Sequence, residues 1–210
     1  MTPTTLFLED MAGMGVILGP EERERVLARC VERQVPARGA IFDSTRVADS
    51  WAFVMSGYAA SYYFHQDGRT TLTRFFEPGH VAGNVTSVWS RDYGSDELIA
   101  ISDVVCIEIS HDFLLGEFMS GQMLGVYLRF KVIETLRYDK DLLVCQALNA
   151  PEARFDFLLE RHPKIFDVAL KKDVAAFLGV TPQAYSRFLR RRSGIRDAAM
   201  AGSSGTGLAT

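Results

Sequence analysis

Four side chains near the C-terminal end have the types and spacing to read nucleic-acid bases. Gln183, Ser186, Arg187 and Arg190 stand at i, i+3, i+4 and i+7, so on a helix they share one face. A glutamine amide can bond adenine through two hydrogen bonds, an arginine fork can do the same to guanine, and a serine hydroxyl can hold a phosphate oxygen. The residues between them make the opposite face: Ala184, Tyr185, Phe188 and Leu189 are the side on which such a helix would dock. Thr181 suits an N-cap and Pro182 the first helical position. Gly179 suits a tight turn with positive φ, and Ala175 the inside of a preceding helix. Residues 171–190 therefore read as a helix-turn-helix, a device that lays its second helix in the major groove. An ordinary helical hairpin with a solvated basic face is the alternative at this point.

The charge distribution favours the first reading. Residues 161–196 hold nine basic side chains (Arg161, Lys164, Lys171, Lys172, Arg187, Arg190, Arg191, Arg192, Arg196) against two acidic ones (Asp167, Asp173). That segment carries +7 within a chain of net charge −3, which leaves −10 on the remainder. A basic end on an acidic body fits a polyanionic partner that touches only the basic end. At 210 residues and 48% hydrophobic, the chain is expected to be globular, with one large or two small domains.

The three cysteines, Cys30, Cys106 and Cys145, are far apart, with neither a CxxC pair nor a Cys/His spacing for zinc. Such usage fits reduced thiols in a cytoplasm, and no metal site is expected. The N-terminus lacks a basic region of the secretory type, and no apolar run approaches the roughly 18 residues of a membrane span. A cytoplasmic location, with no membrane partner, is the expectation.

The elements that must carry the basic helix follow from periodicity. Residues 20–31 read as a short helix begun by Pro20, with Glu21 and Glu22 in its first turn. From about 33 to 110 the period is two: Trp51, Phe53 and Met55 alternate, as do Tyr58, Ala60, Tyr62 and Phe64. Turns are expected at Asp67-Gly68, Pro78-Gly79, Gly83 and Ser102-Asp103. Many short strands with such turns indicate a β-barrel or jelly roll. From about 111 to 147 the period becomes helical, with Leu124, Leu128, Val132 and Leu136 at i+4 steps, a stripe that suits dimerisation. Asn149-Ala150-Pro151 reads as a hinge, and a helix with Phe155, Leu158 and Leu159 on its face follows, ended by Pro163. After Arg196 the small, polar tail "AAMAGSSGTGLAT" reads as disordered. The expected fold is α+β: a barrel domain with an N-terminal helix at 1–110, a dimerisation helix and hinge at 111–148, a helix-turn-helix domain at 149–196 and a tail at 197–210.

Barrel, long helix, hinge and helix-turn-helix, in that order, resemble the Crp/Fnr family of bacterial transcription regulators over about residues 20 to 192. "AIFDSTRVADSWAFVMSG" (40–57) resembles the family's second and third strands, with the Ser56-Gly57 turn, and "FFEPGHVAG" (75–83) the entry to its effector pocket. "RFDFLLERHP" and "DVAAFLGVTPQAYSRFLRR" resemble its DNA-binding domain. The resemblance implies a cyclic-nucleotide-binding-like barrel and a homodimer reading a two-fold symmetric site on double-stranded DNA. Half-sites would lie one helical turn, about 34 Å, apart. It also implies a small-molecule effector, with RNA polymerase as a candidate partner. By position, Pro182, Gln183 and Arg187 would read bases, and Thr181 and Ser186 would serve phosphates with Arg190 and Arg191 nearby. Gln183 stands where the family frequently has an acidic residue, which should relax any preference for cytosine. Tyr185 replaces a small aliphatic residue and should either widen the gap between the two helices or pack with its hydroxyl at the surface. Beyond Ser193 no strand-like alternation follows, so the family's two-stranded wing is expected to be absent or reduced to a stub near Ile195.

Members that bind cyclic nucleotides carry a Gly-Glu pair for the ribose and an Arg-Ser or Arg-Thr pair for the cyclic phosphate. Here Gly83 is followed by Asn84, and Gly94-Ser95 stands where Arg-Ser is expected. A phosphate without its guanidinium loses a charge-assisted pair, and Asp96 and Glu97 would repel it. Arg91 could substitute only through a loop shift. The effector-region candidates are thus Gly83, Asn84, Arg91 and Ser95, with an effector other than cyclic AMP or GMP, or none; its identity and any cofactor stay unknown. Iron–sulfur sensing lacks its N-terminal cysteine cluster. Haem at His65, His80 or His111 stays open beside the commoner structural role of a lone histidine. Buried cysteines would be inert as redox sensors.

Catalysis is not expected: the chain has no HxH, P-loop, GxGxxG or nucleophile elbow. The competing function is a small-ligand or haem sensor, or a scaffold, of the same fold that has lost DNA binding.

Overall fold

The period-two stretch folds into two antiparallel sheets because each strand offers one apolar face inward. The computed structural model describes residues 1–65, 70–94, 96–147 and 150–203. The expected turn at Asp67-Gly68, Ser95, Asn149 of the hinge and residues 204–210 lie outside the described residues. One sheet has the order β1 (Val31–Val35), β8 (Val104–Ser110), β3 (Ser50–Ser56), β6 (Val81–Ala82). The other has β2 (Ala40–Phe42), β7 (Asp96–Ala100), β4 (Ala59–Phe64), β5 (Thr70–Phe76). Phe53 pairs with Ile107 in the first sheet and Ala60 with Phe75 in the second. The inner faces meet in one core: Val35, Val54, Val104 and Cys106 from the first sheet pack with Ile41, Phe76, Leu98 and Ala100 from the second. The chain is α+β, with a jelly-roll-like sandwich at its centre.

The outer faces are covered as well, which is why β3 is buried on both sides and does not alternate cleanly between core and solvent. Phe53, Met55, Ile107 and Ile109 pack under α1 (Pro3–Gly13), α4 (His111–Met119) and α5 (Met123–Ala147) through Phe7, Met11, Leu114, Leu124 and Tyr127. Period reading from residue 20 onward had no place for α1. Thr2 caps it by accepting the Thr5 N–H, and Phe7 and Met11, one turn apart, are its buried pair. The helix expected over 20–31 is shorter, α2 (Pro20–Leu27), because Val31 is taken by the first strand. The helical stretch from 111 breaks at Ser120-Gly121-Gln122, and the Glu22 carboxylate accepts the Leu124 N–H at 2.9 Å where α5 begins.

The opposite outer face, formed by Ala60, Tyr62, Leu72 and Phe75, is covered by the C-terminal helices. These are α6 (Pro151–Arg161), α7 (Ile165–Val168), α8 (Lys171–Leu178) and α9 (Pro182–Ser203). Phe155, Leu158, Ile165, Val174, Phe177, Leu178 and Tyr185 share a single apolar cluster with that sheet. The boundary expected at 148–149 therefore does not separate two cores. After Ser110 the described residues contain no strand. The helix that begins at Pro182 continues through Ser203, past the wing position and into the stretch expected to be disordered from 197. Ala198, Ala199, Met200 and Ala201 are strong helix formers and contain no breaker, which accounts for the extension.

Candidate nucleic-acid interface and effector region

The helix-turn-helix is built as its residues dictate. Gly179 closes α8 in the left-handed conformation, φ 68°, and the Val180 N–H returns to the Ala175 carbonyl at 3.0 Å. A side chain at Gly179 would meet the Arg154 guanidinium. Thr181 Oγ1 accepts the Ala184 N–H at 3.2 Å, the N-cap bond expected of it. Ala175 is fully buried. Tyr185 is only 3% exposed, set in the cluster of Phe155, Val174 and Phe188, so it packs as an anchor for α9 and does not lie at the surface. Burial holds its phenol above its ordinary pKa.

With Tyr185 inward, the other face of α9 points to solvent. Thr181, Pro182, Gln183, Arg187, Arg190 and Arg191 are exposed and Ser186 is half-buried. Arg192 is drawn the other way: it bonds Asp156 at 2.6 Å and lies over the Phe155 ring at 4.7 Å. Of the consecutive arginines at 190–192, the first two are the exposed ones. Lys171 and Lys172, exposed at the start of α8, join the same basic side. Periodicity had no means of assigning them, although their position at the start of the first helix, the one that crosses the DNA backbone, was a usable signal.

The described effector-region candidates, Gly83, Asn84 and Arg91, do not converge on an anion. Asn84 caps α3 (Val85–Ser90): its Oδ1 accepts the Ser87 N–H at 3.0 Å and its Nδ2 donates to the Asp96 carbonyl at 3.0 Å. Both ends of that amide are spent on the loop. Gly83 lies against the Trp51 ring and Gly94 against the Asn84 amide, too close for any side chain. Arg91, left-handed at φ 57°, reaches outward to Asp112 at 2.5 Å, which removes it as the substitute guanidinium. Glu97 accepts from Ser44 at 2.8 Å, and Ser61 donates to Asp96 at 3.4 Å, so carboxylates line this loop.

The histidines and cysteines are occupied or shielded. His111 Nδ1 accepts the Trp51 indole N–H at 3.1 Å, and His65 pairs with Thr71 at 2.8 Å. Burial raises the Cys30 and Cys106 thiols to about 11 and raises Cys145 also. Among the described residues no three His, Cys, Asp or Glu side chains gather as a metal ion requires. No described helix is long and apolar enough to cross a membrane.

The dimerisation stripe splits in two. Leu124 and Leu128, 0% and 8% exposed, are buried in the chain's own core against the first sheet, so a partner does not reach them. Val132 and Leu136, 45% and 62% exposed, continue as an open apolar face with Phe130, Ile133, Leu143 and Val144. A further cleft of about 630 Å³, which sequence reasoning missed, lies where the turn after β5, α5 and the end of α6 meet; His80, Tyr138 and His162 line it.

Comparison with known proteins places this architecture. Residues 32–121 match the cyclic nucleotide-binding domain family. No curated protein matches the chain. The fold is similar to that of FixK2 from Bradyrhizobium japonicum, at 21% identity over 77% of this chain and 83% of that one, TM-score 0.62. It is similar to a Eubacterium rectale protein assigned as a Crp/Fnr-family transcriptional regulator, at 15% identity over 83% of each chain, TM-score 0.64. It is similar also to the c-di-GMP-responsive global regulator CLP of Xanthomonas campestris, at 20% identity over 81% of this chain and 90% of that one, TM-score 0.57.

Proposed function

We propose that the protein is a sequence-specific, DNA-binding transcription regulator, because residues 32–121 match the cyclic nucleotide-binding domain family and the fold is similar to that of a Crp/Fnr-type regulator. The observation that carries the proposal is α9: Tyr185 anchors one face in the apolar cluster while Gln183, Arg187, Arg190 and Arg191 stand exposed on the other. Pro182, Gln183 and Arg187 read base edges. Thr181, Ser186, Arg190, Arg191, Lys171 and Lys172 hold the backbone. The protein works as a homodimer in the cytoplasm, joined through the open half of α5 around Val132, Ile133 and Leu136, on a two-fold symmetric site. RNA polymerase is its downstream partner.

The effector, where one acts, is not a cyclic mononucleotide held in the usual manner. Asn84 is bound to its own loop, Arg91 is engaged by Asp112, and Asp96 and Glu97 follow directly on the Gly94-Ser95 position and would repel an anion. CLP, described as c-di-GMP responsive, is a regulator of this fold that answers to a different nucleotide. The test is selection from a random duplex library at near-physiological salt. Enrichment of a two-fold symmetric motif is expected. A dimer that enriches nothing, with and without added nucleotides, would favour a sensor of the same fold that has lost DNA binding. The described residues give that second reading one point of support, the lack of a strand after Ser110 to form a wing.

A further inference from the structure

The interface between the helix-turn-helix unit and the barrel holds a cluster of titratable groups that the DNA reading does not use. Glu77 and His80 flank the Pro78-Gly79 turn after β5, and His162 ends α6. His162 is 2% exposed. Its Nδ1 lies 2.9 Å from Glu77 Oε1; since a carboxylate only accepts, Nδ1 carries the proton and donates. Its Nε2 is buried with no partner. The His80 ring stands edge-on to His162 at 5.9 Å and lies 6.0 Å from the Tyr138 ring of α5. His80 Nδ1 accepts the Glu77 N–H at 3.4 Å, and its Nε2 is 3.9 Å from the same Glu77 oxygen that serves His162. One carboxylate thus faces two imidazoles.

The other charges around His80 do not favour a second cation there. Lys131 of α5, its side chain 5% exposed, donates to the Gly79 carbonyl at 2.7 Å, and Arg74 of β5 lies over Tyr138 at 4.4 Å. The acidic groups on facing elements are engaged elsewhere: Asp139 by Arg74, Asp10 and Glu134 by Lys131, and Asp141 by Arg161. Arg137 adds one more positive group to the rim of the cleft.

We propose that Glu77, His80 and His162 form a proton-sensitive latch: with His80 neutral the helix-turn-helix unit is docked on the barrel, and protonation of His80 releases it. Burial, the largest influence, together with Arg74, His162 and Lys131 holds the docked His80 down to about 4, against the opposing pull of Glu77. Once undocked, its ring meets water and titrates near the ordinary 6.5. The undocked form therefore binds more protons. Docking is fully present above about pH 6.5 and weakens as pH falls toward 4. Glu77, lowered in the docked form, acts in the same direction but only at greater acidity. Between pH 7.5 and 5.5, linkage gives a roughly tenfold fall in the docking constant.

Hydrogen exchange on the full-length protein tests this without DNA, so failure of the DNA reading leaves the result interpretable. Protection of residues 171–178, corrected for the intrinsic pH dependence of exchange, is expected to fall roughly tenfold from pH 7.5 to 5.5, with β3 and β8 unchanged. In His80→Asn, whose amide oxygen can replace Nδ1 as acceptor, the fall disappears while protection at pH 7.5 persists. His80→Gln is the second variant should the first not fold. A wild-type profile that does not change with pH, or an equal fall in the folded variant, overturns the latch.

Discussion

Arg38 and Asp173, 135 positions apart, are joined by two N–H···O bonds of 3.1 Å from both terminal guanidinium nitrogens to one carboxylate oxygen. Arg38 holds the left-handed backbone conformation, φ 73°, which costs a non-glycine residue about 1–2 kcal/mol. Its N–H is satisfied by the Ala100 carbonyl at 2.8 Å, and its side chain is thereby aimed at α8. Beside this bridge, Phe75 of the barrel and Phe177 of α8 lie 5.4 Å apart. These contacts tie the second sheet directly to α8.

The bridge has an asymmetry that mutation should reveal. Asp173 is 5% exposed at its side chain and Arg38 39%, so losing the arginine strands a buried carboxylate, whereas losing the carboxylate leaves an arginine that water can reach. Arg38→Ala is expected to cost about 2–3 kcal/mol in urea unfolding and Asp173→Asn about 1 kcal/mol. Equal costs would mean that the pair is solvated in solution.

The basic side chains of α9 should separate into three kinds. Arg187→Ala should lose discrimination at one base pair, about 1–3 kcal/mol, and Arg191→Ala should weaken all sequences alike and lower the salt slope by about one. Arg192→Ala should leave the salt slope unchanged, because Asp156 and Phe155 already hold that side chain. Titrations at several salt concentrations distinguish the three.

Two residues on one helix stripe should respond differently to the same change. Leu136→Glu places a charge on an open face and should give a stable monomer by sedimentation. Leu128→Glu places it in the core under the first sheet and should destabilise the fold itself, by more than about 3 kcal/mol. A dimer that survives Leu136→Glu would move the interface elsewhere.

Alkylation should find the thiols quiet. With Cys30 and Cys106 raised to about 11 by burial, both stay protonated at pH 7.5, and reactivity should rise only as pH approaches that value. Iodoacetamide should therefore label the native protein more slowly than a free thiol, by roughly tenfold or more, and the unfolded protein at the ordinary rate. Fast labelling of the native chain would revive a redox role.

Local chemistry made much of this protein legible in its sequence. The turn at Gly179, the cap at Thr181 and the two faces of α9 depend on residues within a few positions of one another, and period two over the sheets is equally local. The departures at Gly83-Asn84 and Gly94-Ser95 could likewise be set against the pattern of the family the sequence resembles, although not that Asn84 caps α3.

What required the tertiary structure was every relationship between distant segments. Leu124 and Leu136 are alike in type and share a stripe, and only the sheet beneath the first half of α5 makes one core and leaves the other open. Arg91 and Arg192 look available until Asp112 and Asp156 are brought to them by other elements. The docking of α8 on β5, with Arg38 on Asp173 and Glu77 between two histidines, joins residues too far apart in sequence for any periodicity to link. Sequence patterns report which face of an element is apolar; which surface covers that face is decided by packing, where all segments compete for the same burial.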